Sequence, residues 1–152
     1  MKILALEFSS DHRSVAVVNG SPEEPAALCG QATETGGQGA RLMRLVEGAL
    51  LEAHLERDQI EAIAIGLGPG SYAGIRSAIA LGQGWQLGRG VQLIGISSVE
   101  CLLAEARAQH WEGPVDFLID AHRNEFYCAR YELTAGEARL IASLKIITMA
   151  EA

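Results

Sequence analysis

Gly66-Leu67-Gly68-Pro69-Gly70-Ser71-Tyr72-Ala73-Gly74-Ile75-Arg76 is the stretch on which the fold turns. Ahead of it, Gln59–Gly66 carries Ile60, Ile63 and Ile65 and reads as a strand buried on both faces. Behind it a helix runs to about Leu87. Strand, glycine-rich turn and helix N-terminus in that order define an α/β unit, and such a turn offers backbone N–H groups to an anion. The details point away from phosphate chemistry. A Walker A loop needs a Lys-Ser/Thr pair after its second glycine, and none is present. The dinucleotide fingerprint fails because Ser71 stands where the third glycine belongs, and Pro69 removes a donor.

The helix that follows carries Gly74, Gly82, Gly84 and Gly88. Each costs about 1 kcal/mol relative to alanine. Gly74, Ala78 and Gly82 recur every four residues, and side-chain-poor positions let another backbone approach. Helix-to-helix contact is the expectation, with Ile75, Ile79 and Trp85 flanking the groove.

Working outward, Ile3–Phe8 is a buried strand and Val15–Val18 begins a second. Asn19-Gly20 signals a hairpin with a loop extended by Ser21–Pro25, and Ala26–Thr33 is a third strand. The sheet should be mixed with an antiparallel start. From Ala40 the period becomes helical: Leu42, Leu45, Val46, Ala49 and Leu50 form one stripe, widened by Met43, Leu51 and Leu55. That surplus marks a well-buried helix or one with a second face for a partner. Gln92–Ile96 is a strand, and Ser97 or Ser98 caps a helix carrying Val99, Leu102, Leu103 and Ala106 inward. Val115–Ala121, Glu125–Leu133 and Ala138–Ile147 read as three strands, the first two joined by a tight turn at His122-Arg123-Asn124. The expected organisation is a first lobe over residues 1–98 and a partial second lobe over 99–152.

Composition narrows the setting. Of 152 residues 49% are hydrophobic, too many for a disordered chain, and no apolar run is long enough to span a membrane. The net charge of −7, without a basic cluster, argues against autonomous nucleic-acid binding. Cys29, Cys101 and Cys128 are widely spaced among apolar neighbours, the pattern of reduced core thiols in a cytoplasmic protein.

Few residues carry chemistry. Glu7 and Asp120 close two strands and could hold a divalent metal for phosphoryl transfer, or could simply satisfy turn amides. With Gly68, Gly70 and Ser71 they are the candidates for binding a nucleotide. The histidines lack metal-ligand spacing, and no Gly-x-Ser-x-Gly surrounds Ser9, Ser10 or Ser71. No catalytic residue, metal or cofactor is assigned.

Four segments taken together, Ile3–Ser10, Gly66–Arg76, Ile94–Ser98 and Ile119–Tyr127, resemble the bacterial TsaB (YeaZ) family over nearly the whole chain. The Gly-Pro-Gly-Ser-aromatic run closing on Gly74-Ile75-Arg76 is the specific part. The resemblance implies an actin-like ATPase, RNase H-like fold: a mixed sheet flanked by helices, with the second lobe cut short. It also implies a non-catalytic subunit that partners TsaD, the paralogue that threonylcarbamoylates adenosine 37 of tRNA. The first two helices would then pack on that paralogue, or on a second copy when the chain is alone, and tRNA would be met only through the complex. The expected interface is Leu42, Met43, Val46, Leu50, Ile75, Ala78, Ile79 and Gly82, so that Ala78→Arg or Gly82→Leu would break association without unfolding the domain. The resemblance departs at Glu7, where the family has Asp, and at Gly39-Ala40, where it has His-Ser/Thr. Most members are considerably longer. Rival readings are a small phosphotransferase built on Glu7, Asp120 and the glycine loop, or a homologue that only self-associates.

Overall fold

The computed structural model describes residues 1–21, 24–36, 42–148 and 150–151. Two compact units divide the chain: Met1–Leu67 with Ser71–Ile96, and Gly68–Gly70 with Ser97–Ala152.

In the first unit a five-stranded sheet has the order β3-β2-β1-β4-β5. Its strands are β1 (Lys2–Glu7), β2 (His12–Ser21), β3 (Glu24–Thr35), β4 (Ala62–Gly66) and β5 (Gln92–Ile96). The first three are antiparallel, while β4 joins β1, and β5 joins β4, in parallel. Register sets the core. Leu4 faces Val17 and Ile63, and Leu6 faces Val15 and Ile65, so all six stand on one side of the sheet. That side is covered by α1 (Leu42–Glu52) and α2 (Tyr72–Arg89). Leu45, Val46, Ala49 and Leu50 of α1 are buried there, and a Cβ on Gly30 of β3 would stand 2.6 Å from the Ala53 amide nitrogen. Both helix ends of α2 are built as the sequence dictates. The Ser71 hydroxyl accepts the Gly74 N–H, and Gly90, at φ +71°, closes the C-terminus by donating to Gln86 O at 2.7 Å.

Two sequence expectations change here. Asn19-Gly20 is not the hairpin turn: Asn19 pairs with Lys2, and Gly20 N–H donates to Met1 O at 3.1 Å. This pairing carries β2 on to Ser21, which faces Glu24. The cysteines are not core thiols either. Cys29 is exposed on the edge strand at an irregularity opposite Val17–Val18, Cys101 is exposed on a helix, and Cys128 is half-buried.

The second unit is an antiparallel meander, β6 (Gly113–His122), β7 (Glu125–Leu133) and β8 (Ala138–Thr148), packed by α3 (Ser98–Ala108). Ser97 and Glu100 cap α3 reciprocally, the Ser97 hydroxyl taking the Val99 N–H and Glu100 Oε2 taking the Ser97 N–H at 2.9 Å. Val99, Ala106, Phe117, Ala129 and Leu133 form the core, with Phe117 edge-on to Tyr131 at 5.8 Å. Leu102, expected inward, is 40% exposed.

Two predictions arise from this unit. At the β6–β7 turn His122, Arg123 and Asn124 all adopt positive φ, 64°, 58° and 64°, a region that costs non-glycine residues energy. Two-residue hairpin turns of this kind favour glycine second. Asn124→Gly should stabilise the chain by roughly 0.5–1 kcal/mol, raising Tm by a few degrees in a thermal melt (on the order of 2–4 °C per kcal/mol). The second concerns Arg130, whose guanidinium donates twice to the Asp116 carboxylate at 2.5 and 2.6 Å. Those bonds hold the Asp116 carboxyl below its ordinary 3.8. A depressed folded value means the pair stabilises above about pH 4 and is lost as pH falls through the folded value. Both groups are largely solvated, so Arg130→Met should flatten the acid limb of a stability–pH curve only slightly.

Candidate protein interface

The glycine-rich loop is occupied by the chain itself. Ser71 N–H donates to Ser9 O at 2.6 Å, and Ser71 caps Gly74. Gly68 O accepts the Ser98 N–H at 2.8 Å, and Gly68 and Gly70 hold φ of 83° and 147°, which only glycine adopts readily. Glu7 Oε1 accepts the Ser9 N–H at 2.7 Å, and its carboxyl carbon lies 2.7 Å from where a Cβ on Gly66 would stand. Asp120 Oδ1 accepts the His122 N–H at 2.7 Å in the same i to i+2 manner. Both carboxylates therefore do the turn-capping work that the sequence allowed as one reading. Glu7 and Ser71 belong to the first unit, and Gly68, Gly70 and Asp120 to the second. Among the described residues no three His, Cys, Asp or Glu side chains gather at a metal-sized site.

The helices place the eight interface candidates unequally. Val46, Leu50, Ala78 and Gly82 are core positions, covered within their own unit. Leu42, Ile75 and Ile79 are half-buried, and Met43 is 41% exposed. The glycine-lined face of α2 meets the sheet rather than another helix. Gly74 abuts the carbonyl oxygen of Phe8, and a Cβ on Gly82 would stand 2.5 Å from Ile65 Cδ1 and 3.4 Å from Leu93. Ala78→Arg and Gly82→Leu therefore attack the core, and they cannot separate association from folding.

A second small-residue stripe runs along an outer flank of α2, turned away from the first. Ala73, Ser77, Ala80, Gly84 and Gly88 recur three or four residues apart. Around the Cβ positions of Gly84 and Gly88 there is no atom within 4 Å. Two shallow grooves meet on this side. One, of about 530 Å³, runs past Tyr72, Arg76 and Gln83; the other, of about 440 Å³, runs past Met43, Trp85 and Arg57; Ala80 lines both. Tyr72 is 74% exposed under the Arg76 guanidinium, whose carbon is 5.3 Å from the ring centre. Leu87 is 89% exposed. A signal for this face was present: Gly84 and Gly88 fall outside the i, i+4 series of Gly74, Ala78 and Gly82.

A meander of three antiparallel strands, extended in parallel by β4 and β5 and covered by α1 and α2, defines the actin-like, RNase H-like class of α/β folds. Residues 39–152 match the family model described as TsaD: tRNA N6-adenosine threonylcarbamoyltransferase. The tRNA threonylcarbamoyladenosine biosynthesis protein TsaB of Escherichia coli is 31% identical over 87% of this chain and 55% of its own. That of Haemophilus influenzae is 30% identical over 84% of this chain and 52% of its own. Among solved structures, YeaZ from Pseudomonas aeruginosa superposes with a TM-score of 0.80 at 30% identity, over 99% of this chain and 68% of that one. The chain belongs to the TsaB (YeaZ) family. It spans about half the length of the curated relatives it matches. Gly39-Ala40, where the sequence departs from the family's pattern, lie outside the described residues.

Proposed function

We propose that this chain is a non-catalytic partner subunit of a TsaD-like enzyme in tRNA N6-threonylcarbamoyladenosine formation. The observation that carries the reading is the outer face of α2. Gly74 and Gly82 are accounted for by contacts within their own unit, but Gly84 and Gly88 meet nothing there. Each still costs the helix about 1 kcal/mol. A second helix drawn close along Ala73, Ser77, Ala80 and Gly84 would give those glycines a use, with Met43 and Tyr72 as larger anchors at the margins. Family kinship supplies the partner's nature. The paralogue has the same class of fold, and two such helix pairs can form a four-helix contact; the same face would pair two copies when the chain is alone. The partner would bring tRNA and the reactive chemistry, and this chain would need no cofactor, no metal and no membrane. A cytoplasmic setting goes with that role, and no helix among the described residues is long and apolar enough to cross a membrane.

Co-expression with the TsaD-like protein of the same genome tests the proposal. Equimolar co-elution, with tRNA modification that depends on both chains, is the expected result; absence of a complex would overturn it. Calorimetry of the isolated chain with ATP and magnesium addresses the phosphotransferase reading. No saturable heat is expected, because the Ser71 and Gly74 N–H groups are already committed.

A further inference from the structure

In a chain with 19 acids and 12 bases, no Asp or Glu lies between Glu61 and Glu100, and α2 falls wholly within that stretch. The charged residues of α2 are Arg76 and Arg89, both exposed. Each lines one of the two outer grooves, Arg76 beside Tyr72 and Gln83, Arg89 beside Met43 and Trp85. Neither is in an ion pair among the described residues. Arg89 suits the last turn of a helix, where a cation meets the negative end of the dipole. Arg76 lacks that explanation, because it stands in the N-terminal half, towards the positive end. It is nonetheless held in place, its guanidinium carbon 5.3 Å from the centre of the Tyr72 ring. Stacking occupies a face of the guanidinium and leaves the N–H groups in its plane to meet an acceptor. The acids of the neighbouring helix α1 are already engaged. Glu47 pairs with Arg57 at 2.7 Å, and Glu52 takes the Gln31 N–H at 2.8 Å. The outer face of α2 is thus a positive surface on a chain of net charge −7.

On the footing of the function proposed above, we propose that this surface chooses its partner by charge. It takes a helix of the partner that carries carboxylates opposite Arg76 and Arg89, and it disfavours a second copy of itself. The two arginines lie about 20 Å apart along the helix axis, so the fitting helix sets small residues between two acids at that separation. A two-fold pair lays one face on its own copy. Both copies of Arg76 and Arg89 would then enter the contact with no acid of α2 to meet them. A carboxylate of the partner meeting the fork of Arg76 gains two parallel hydrogen bonds. Tyr72 already holds that guanidinium, so little freedom is lost when the pair forms. Salt screens attraction and repulsion alike. It therefore loosens the complex with the partner and tightens the pair of identical chains.

Titration with the purified TsaD-like partner and sedimentation of the chain alone, each at low and high salt, test this. Between about 50 and about 500 mM sodium chloride, affinity for the partner should fall about tenfold while self-association grows. Arg76→Glu gives each face one charge of either sign. It should weaken the complex at least tenfold at low salt and strengthen self-association, with a melt close to the parent's because Arg76 is exposed. A folding defect or a loss of packing would weaken both, so movement in opposite directions is the signature. Three outcomes overturn the inference. A complex indifferent to salt and to Arg76→Glu removes the selection by charge and leaves the proposed function standing. Self-association tighter at the lower salt removes the bias against a second copy. No complex at any salt overturns the proposed function, and this inference with it.

Discussion

Gly74→Val is expected to destabilise the chain by about 3 kcal/mol or more, at the upper end of overpacking in a filled interior. Position 74 lies in the first turn of α2, directly against the Phe8 carbonyl oxygen. The new Cβ would meet backbone, and its position is fixed by backbone, so no rotamer relieves the overlap. Sliding the helix away is resisted next to the contact, where Ser71 N–H at the head of the helix is bonded to Ser9 O. Better helix propensity returns less than about 1 kcal/mol. Against a total stability of roughly 5–15 kcal/mol the loss is large, and urea unfolding should show it as a fall in midpoint at constant slope. A loss below about 1 kcal/mol would mean that the first turn of α2 moves freely, and that the close approach to β1 has no part in holding it.

β1 and β4 are legible because strands paired on both sides read as continuous apolar runs, and the period of α1 gives its buried stripe directly. Asn19-Gly20 misleads because turn chemistry is local, whereas Met1 and Lys2, far back in the sequence, claim those residues for the sheet. The interface positions are ambiguous in a more general way. Val46, Leu50, Ala78 and Gly82, buried in their own unit, carry an apolar or small-residue periodicity that marks a core face and a docking face alike. Gly82 and Gly84 are the same residue two positions apart. One lies against Ile65 and the other meets open space, and only three-dimensional packing tells them apart. Turn-capping by Glu7 and Asp120, by contrast, was readable, since a carboxylate at a strand end has a nearby amide to bind whatever else it does.

Ala80→Arg should abolish association with the TsaD-like partner while sparing the fold. Ala80 is exposed, lines both grooves on the outer side of α2, and sits midway along the small-residue stripe. In the isolated chain an arginine there reaches solvent, adds helix propensity close to alanine's, and displaces nothing. In a helix-to-helix contact it would hold the axes apart and bury a charge without a partner, which costs several kcal/mol. An affinity loss on the order of a hundredfold, about 3 kcal/mol, is the expected reading by titration with the purified partner. Gly84→Ala supplies the control for stability. With nothing within 4 Å of its Cβ position, it should stabilise the isolated chain by up to about 1 kcal/mol and weaken the complex only if helices approach closely there. Unchanged affinity in both variants would move the partner to another surface. Lost affinity in Ala80→Arg with an unaltered melt would fix the outer face of α2 as the contact, since a folding defect could not produce that pair of results.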